Sequence, residues 1–458
     1  MLSLKMKEIN DIVKETDYEG KIMKRNYKLL AAILCSVIWS TGSVNVCGEE
    51  KVELSILYSG EDVTWVAAME NLCKEFMELH PDIVIDTENA NLASCEEELK
   101  VKEALGEFPD LFELENISLF AEAGRLGALD EEVSSMLSAP MEIGGHVYGL
   151  PTYAVTNGII YNKEIFKKYN LEIPGSYQEF LEVCETLRQN DVVPLAIGGN
   201  GENSMIYWLD YFFQKEVIAK IPDWQELRME GKVSFEDEEP LNMLREFEAL
   251  ITSDYILEES IHMTENQLAT RMVKDEFAML YAGPWMFSKI INAYPEATSS
   301  DKTNLGEEIP QETDPVKYRI NWFFIGDDQG KVTALTQNNS YWAVSTECSQ
   351  DREKYEAATE FLEFYYQKSN YREILKDLYG LPVTKEAVIY PGPPAQQRLL
   401  TDYRYAKKSR EYLGSVGLGA DFLDQVNELM LEIYNGITTV EEAAAQMDFL
   451  WDESVQGG

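Results

Sequence analysis

Histidine and cysteine are scarce in this 458-residue chain, and neither falls in a useful pattern. His80, His146 and His262 stand far apart, so there is no histidine-based zinc motif to build on. Cys35, Cys47, Cys73, Cys95, Cys184 and Cys348 show no CxxC spacing and are too sparse to staple a small disulfide scaffold. Positive charge is short as well. Against 81 Asp and Glu stand 39 Lys and Arg, a formal net charge of −42. A nucleic-acid binder neutralises phosphates with Lys and Arg, so that class is excluded. Neutral or cationic ligands suit such a field better than anionic ones. There is no Pro/Gly/Ser-rich linker and no internal repeat. GxSxG, HExxH, a P-loop and a GxGxxG after a strand are all missing. The glycine-rich GGNGENS at 198–204 lacks the lysine of a phosphate cradle. The abundance of carboxylates leaves a glycosidase-type carboxyl pair open by count alone.

Long apolar runs are also missing. Leu29–Trp39 is too short to span a bilayer comfortably. It follows Lys24, Arg25 and Lys28 and precedes small residues at Gly42 and Gly48, which is the layout of a secretory signal peptide over 23–48. Residues 1–22 do not look like its basic region, so Met23 is read as the start and 1–22 as an upstream extension. Cys47 is a candidate lipidation site, although Val46 stands where a small residue is usual. The protein is expected to be secreted or anchored at the outer face of the cell membrane.

What is present is a core-forming pattern, with 45% hydrophobic residues. Val52, Leu54, Ile56 and Tyr58 alternate as in a strand, and Gly60 ends it. Trp65, Met69, Leu72, Phe76 and Leu79 then share a helical face up to Pro81. A second strand in DIVIDTEN completes a βαβ unit, which predicts a parallel, helix-covered sheet. PDLFELEN reads as the next strand, and ISLFAEAGRLGAL as a helix through 117–129. Further strands are expected in VVPLAIGGN, EFAMLYAGPWMF and NNSYWAVS. A helix is expected in DREKYEAATEFLEFYYQ. Capping boxes are expected at Ser176/Glu179 and Thr438/Glu441. Ligands of such sheets sit beyond the carboxyl ends of strands, which points to Tyr58–Asp62 and Glu113–Asn116, with Tyr58, Glu61, Glu115 and Asn116 as the candidates.

Aromatic residues make up 11% of the chain, and several fall at strand ends or turns rather than on helix faces. They are Tyr58, Tyr148, Tyr153, Tyr207, Trp208, Trp285, Tyr341 and Trp342. Rings stack on the apolar face of a sugar while carboxylates and amides bond its hydroxyls. Trp285 is the sharpest candidate, because Gly283 and Pro284 force a turn that projects it.

The stretch GHVYGLPTYAVTNGIIYNKEIFKKYN carries Gly145, Tyr148, Gly149, Leu150, Pro151, Tyr161, Asn162, Lys163 and Phe166. Asn170, Leu171, Pro174, Ser176, Tyr177 and Glu179 follow in register. With MLYAGPWMF, YGLPVTKEA and NGITTVEEAAAQM in the same order, the chain resembles the carbohydrate-type extracellular solute-binding proteins of ABC importers, the family that includes maltose-binding protein. The resemblance spans residue 51 to the end. It implies an α/β, two-lobed periplasmic-binding-protein type II fold with hinge strands between lobes. It places one lobe at 51–153 and 327–388 and the other at 158–323 and 393–458. Pro151–Ile160 becomes the first crossing, with Tyr153 and Asn157 at the hinge, and Tyr161-Asn162-Lys163 a structural strand–helix junction.

The ligand-binding set expected is Trp285, Tyr153, Asn157, Tyr58, Glu61, Glu115, Asn116, Tyr207, Trp208, Asn339 and Tyr341. No catalytic residue, cofactor or metal is expected. The expected partners are a sugar or oligosaccharide and membrane permease subunits, for a monomer that touches the membrane only through a lipid anchor at Cys47. The rival readings are a binder of polyamines or other cationic solutes, an extracellular glycan hydrolase, and a sensor or adhesion module.

Overall fold

The structure, a computed structural model, describes residues 51–60, 63–90, 94–198, 204–294, 319–416, 418 and 421–457. The expected signal peptide, Cys47 and Glu61 lie outside the described residues. Two sheets organise the rest. In the larger one the strands run in the order Ile83–Ala90, Val52–Ser59, Leu111–Leu114, Tyr341–Ser345, His146–Pro151 and Met141–Ile143. The first three pair in parallel, as the βαβ reading required. Tyr341–Ser345 then enters antiparallel between Leu111–Leu114 and His146–Pro151, so the sheet is mixed. Leu54, Ile56, Leu57 and Tyr58 are all buried, which fits a strand covered on both faces. The helix Val63–Leu79 buries Trp65, Met69, Leu72 and Phe76 against that sheet. Leu79 does not join them; it is 66% exposed, because Pro81 turns the chain away within two residues.

In the second sheet the order is Ile320–Phe323, Gly158–Asn162, Met279–Ala282 and Leu195–Ala196. One of its faces is covered by a cluster that includes Phe180, Leu187, Trp208, Phe247 and Trp451. The other carries the helices Glu265–Met272 and Met286–Ala293, in the cluster that also holds the core of the larger sheet. Asn162 caps the helix Lys163–Lys168 by accepting from the N–H groups of Glu164 and Ile165, and its amide donates to Asp275 at 2.6 Å. Its role in the junction is therefore structural.

A short third sheet joins the two. Ala154–Thr156 pairs antiparallel with Thr333–Asn338, which pairs parallel with Lys407–Ser409. Leu381 exchanges both backbone hydrogen bonds with Ala154, at 2.9 and 2.7 Å. Three passages of the chain thus run side by side between the two sheets. The first is anchored by tyrosines. Tyr365 and Tyr371 donate to the Thr152 carbonyl at 3.2 and 2.9 Å, and Tyr366 donates to that of Pro151 at 2.7 Å.

Three local expectations need correction. The helix expected through 117–129 ends at Glu122; Gly124 adopts φ +68°, and Leu126–Gly127 pairs with Val344 and Ser345 as a strand. Ser176 accepts from the Glu179 N–H at 3.2 Å, but the Glu179 carboxylate reaches the N–H of Gly175 at 2.7 Å rather than that of Ser176. The last cap lies one residue later than expected. Thr439 and Glu442 bond reciprocally, while Thr438 donates to Glu432.

Candidate functional site

Strand direction decides which residues meet. Leu114, Pro151 and Tyr341 lie opposite one another in the larger sheet, so Glu115, Asn116, Tyr153 and Asn339 gather at one edge. In the second sheet Ala282 pairs with Gly158, which brings Trp285 to the same edge as Asn157. The ribbon that links these edges runs from Thr152 to Asn157. Along it Tyr153, Val155 and Asn157 are partly exposed and alternate with buried Ala154 and Thr156. On the neighbouring passage Gln337 is partly exposed and Asn339 exposed. The alternation is that of a strand with one face packed and one face open.

At the second edge Trp285 is half-buried and packs edge-on against Tyr207, with ring centroids 5.9 Å apart at 64°. Its indole N–H donates to Glu265, which is also paired with Lys289. Glycine is needed in the AGPW turn, because a Cβ on Gly283 would come within 1.7 Å of the Trp285 ring. The turn therefore does more than project the tryptophan: it folds the ring back over the chain and leaves it held from the side. Tyr153 is held in a similar way. Its ring lies 6.1 Å from Trp65 and over Gly380, where a Cβ would meet it at 2.7 Å.

Beneath the first edge lies a buried carboxylate. Glu113 accepts from the Ser59 N–H and the Trp65 indole, both at 2.9 Å, and from the Ser340 hydroxyl. Thr152 and Ser340 hydroxyls meet at 2.8 Å. Burial pushes the Glu113 carboxyl above the usual range, and its three donors pull the other way. This network ties two strands and one helix to the start of the crossing. Glu113 falls within the strand-end stretch that the sequence pointed to, whereas Trp65 was read only as a core position and Glu265 was not singled out. The available signal was position, since Glu113 sits at the carboxyl end of a central strand and Trp65 in the first turn of the helix that follows another.

Two expected ligand residues are corrected. Tyr58 and Trp208 are each 1% exposed. Tyr58 belongs to the core beneath the helix Val63–Leu79, and burial raises its hydroxyl pKa to about 12. Trp208 packs on Tyr281 at 4.6 Å. In both cases a strand or helix buried on both sides leaves no open face for the ring. Asn116 remains exposed at the edge, but its side-chain oxygen caps the helix Ile117–Glu122. Tyr341 is half-buried and its hydroxyl accepts from Asn338 at 2.9 Å. Tyr148, expected at a strand end or turn, lies within the strand His146–Pro151.

Among the described residues one acidic trio, Glu216, Glu246 and Asp328, has metal-like spacing. The Lys215 ammonium already sits within it, at 2.6, 2.7 and 2.9 Å from the three carboxylates. No helix among the described residues is long and apolar enough to cross a membrane.

Two sheets joined by three side-by-side passages make up a two-lobed type II binding-protein fold. The chain belongs to the bacterial extracellular solute-binding protein family, whose model matches residues 63–371. It is 35% identical over 149 residues to the maltotriose-binding protein of Pyrococcus abyssi, covering 30% of this chain and 31% of that one. It is 25% identical over 161 residues to the multiple sugar-binding protein of Streptococcus mutans, covering 33% and 37% respectively. The chain thus spans about a third of the length of these two relatives. Among solved structures, a chitin oligosaccharide binding protein superposes with a TM-score of 0.72 at 19% identity, over 89% of this chain and 100% of that one. A sugar transporter from Bacillus licheniformis, solved with stachyose, gives a TM-score of 0.64 at 17% identity, over 88% and 100%. At these identities the structural likeness speaks to the fold.

Proposed function

We propose that the protein captures an oligosaccharide between its two lobes and hands it to the permease subunits of an ABC importer. The observation that carries this reading is the Trp285–Tyr207 pair, held from the side by Glu265 and Gly283 at a strand edge. Two rings fixed in place cost little ordering on binding and suit the apolar face of a sugar. Asn157, Asn339, Gln337 and Glu115 supply amide and carboxylate groups for hydroxyls. Sugars named for the relatives, maltotriose and stachyose among them, guide the choice of ligands to test.

The proposal includes export through the 23–48 segment and attachment at Cys47, and it assigns the protein binding without turnover. The lobes are proposed to divide as 51–153 with 327–388 and 158–323 with 393–458. A cationic solute is the weaker reading. Glu265 is already paired with Lys289, and Glu113 with three donors, so the carboxylates at the edges are largely engaged. The test is thermal unfolding against a panel of oligosaccharides and polyamines. A ligand that binds only the native state raises the melting temperature. A shift with spermidine and none with any glycan would replace the sugar reading.

A further inference from the structure

A cavity of about 630 Å³ lies beside the crossings, and none of the candidate sugar-binding residues lines it. Its floor is apolar, made by Phe323, Phe324, Val332, Ile173 and Pro174. Its rim carries Lys331, Arg398 and Lys407, with Tyr405 between the last two. Asp402 is the one carboxylate on the rim, and it is paired with Arg398 at 2.6 Å. The rim thus holds a positive excess, and the surroundings strengthen it. Residues 398–410 read RLLTDYRYAKKSR, five cations to one carboxylate, in a chain whose net charge is −42. Arg404, Lys408 and Arg410 are exposed next to the cavity. Tyr405 is 80% exposed, a large ring left in water at the mouth of an apolar hole.

We propose that this cavity is a second ligand site, for a small organic anion with a flat apolar body. The apolar floor and the Tyr405 ring would take the body, and Lys331, Lys407 and the outer edge of the Arg398 guanidinium would take the charge. The volume falls in the range of small-molecule pockets, in which an apolar lining and a few placed polar groups set specificity. A carboxylate or phosphate gains most from charge-assisted hydrogen bonds where the bonding groups line a concave, partly apolar wall. The overall acidic field repels anions, so such a local reversal of sign selects for a ligand held at close range rather than steered from afar. The site is independent of the sugar cleft and stands or falls separately from it.

The cavity wall includes Val332, the residue before Thr333–Asn338, and Lys407, which pairs with Thr333. An occupant would therefore brace one crossing against the helix Pro394–Tyr405. Calorimetry with phenyl phosphate as the probe, at constant ionic strength, tests the site. Saturable one-to-one binding is expected, with inorganic phosphate binding at least about tenfold more weakly for want of the apolar body. Lys407→Gln and Tyr405→Ala, both at exposed positions, should each weaken phenyl phosphate by about tenfold. Lys408→Gln and Arg410→Gln, made singly, each remove the same one charge as Lys407→Gln but outside the cavity lining, and should leave binding within about twofold. No saturable binding would overturn the proposal. So would equal loss in the two sets of variants, or binding by inorganic phosphate that matches phenyl phosphate and fades with salt, since each marks diffuse counterion association.

Discussion

Replacing Trp285 by alanine separates a binding ring from a packing ring. The substitution removes an edge-on contact with Tyr207 at 5.9 Å and the indole hydrogen bond to Glu265, and it opens the space above Gly283. Trp285 is half-buried at the end of a strand, so most of the core of the second sheet is untouched. Losing the ring pair should cost stability roughly 0.5–1.5 kcal/mol. If the ring also stacks on the ligand, affinity should fall by roughly 1–3 kcal/mol, about tenfold to hundredfold. Trp285→Phe keeps a ring and drops the N–H, so it should recover much of the loss. Glu265→Gln keeps an acceptor but frees Lys289, and should weaken binding less than Trp285→Ala. Isothermal titration calorimetry, with the oligosaccharide that gives the largest thermal shift, measures affinity, and circular dichroism checks the fold. A folded Trp285→Ala variant with unchanged affinity would refute the stacking argument and return Trp285 to the packing of the turn.

Three other outcomes are expected. Asp210 is 3% exposed and accepts one backbone N–H, from Leu413 at 2.8 Å, and burial raises its pKa from 3.8 to about 7. The folded state therefore holds the proton more tightly than the unfolded chain. That contribution to stability is complete below about pH 4 and is lost as pH rises through about 7. Asp210→Asn keeps an oxygen for Leu413 and should gain on the wild type across that window by a few kcal/mol, read from urea melts; parallel curves for the two proteins would count against it. A tight sugar should lower the radius of gyration in X-ray scattering, because lobes joined by short passages rotate through a few backbone dihedrals; tight binding with no compaction would favour a rigid-surface binder. Mass spectrometry of protein recovered from the cell envelope should place the mature N-terminus between Ser43 and Glu49, and an intact Met1 on cytosolic protein would contradict export.

Much of the fold was legible because burial imposes a period on the chain. Val52–Ser59 and Val63–Leu79 could be read from alternation and helical spacing, and the order of motifs from Gly145 to Glu179 pointed to the family. Boundaries were less legible wherever a partner in space outweighed local pattern. Leu126–Gly127 continues a helical run of apolar residues, yet it leaves the helix because Val344 and Ser345 offer a strand to pair with. Thr438 and Thr439 are equivalent as caps on paper, and the carboxylate of Glu432 claims the first.

The candidate site divides along the same line. By itself the sequence indicated that Trp285 follows a glycine–proline turn, that Tyr153 and Asn157 lie on a crossing, and that so acidic a chain is a poor partner for nucleic acid. Only the tertiary structure decided that Tyr58 and Trp208 are core rings, since period alone does not say whether the second face of a strand or helix is also covered. It alone joined Glu265 to Trp285 and Glu113 to Trp65, across 20 and 48 residues of chain. It alone brought Lys331 beside Arg398 and Lys407 around one apolar cavity. Each of these depends on contacts between segments distant in sequence, and no local periodicity encodes which distant segment will arrive.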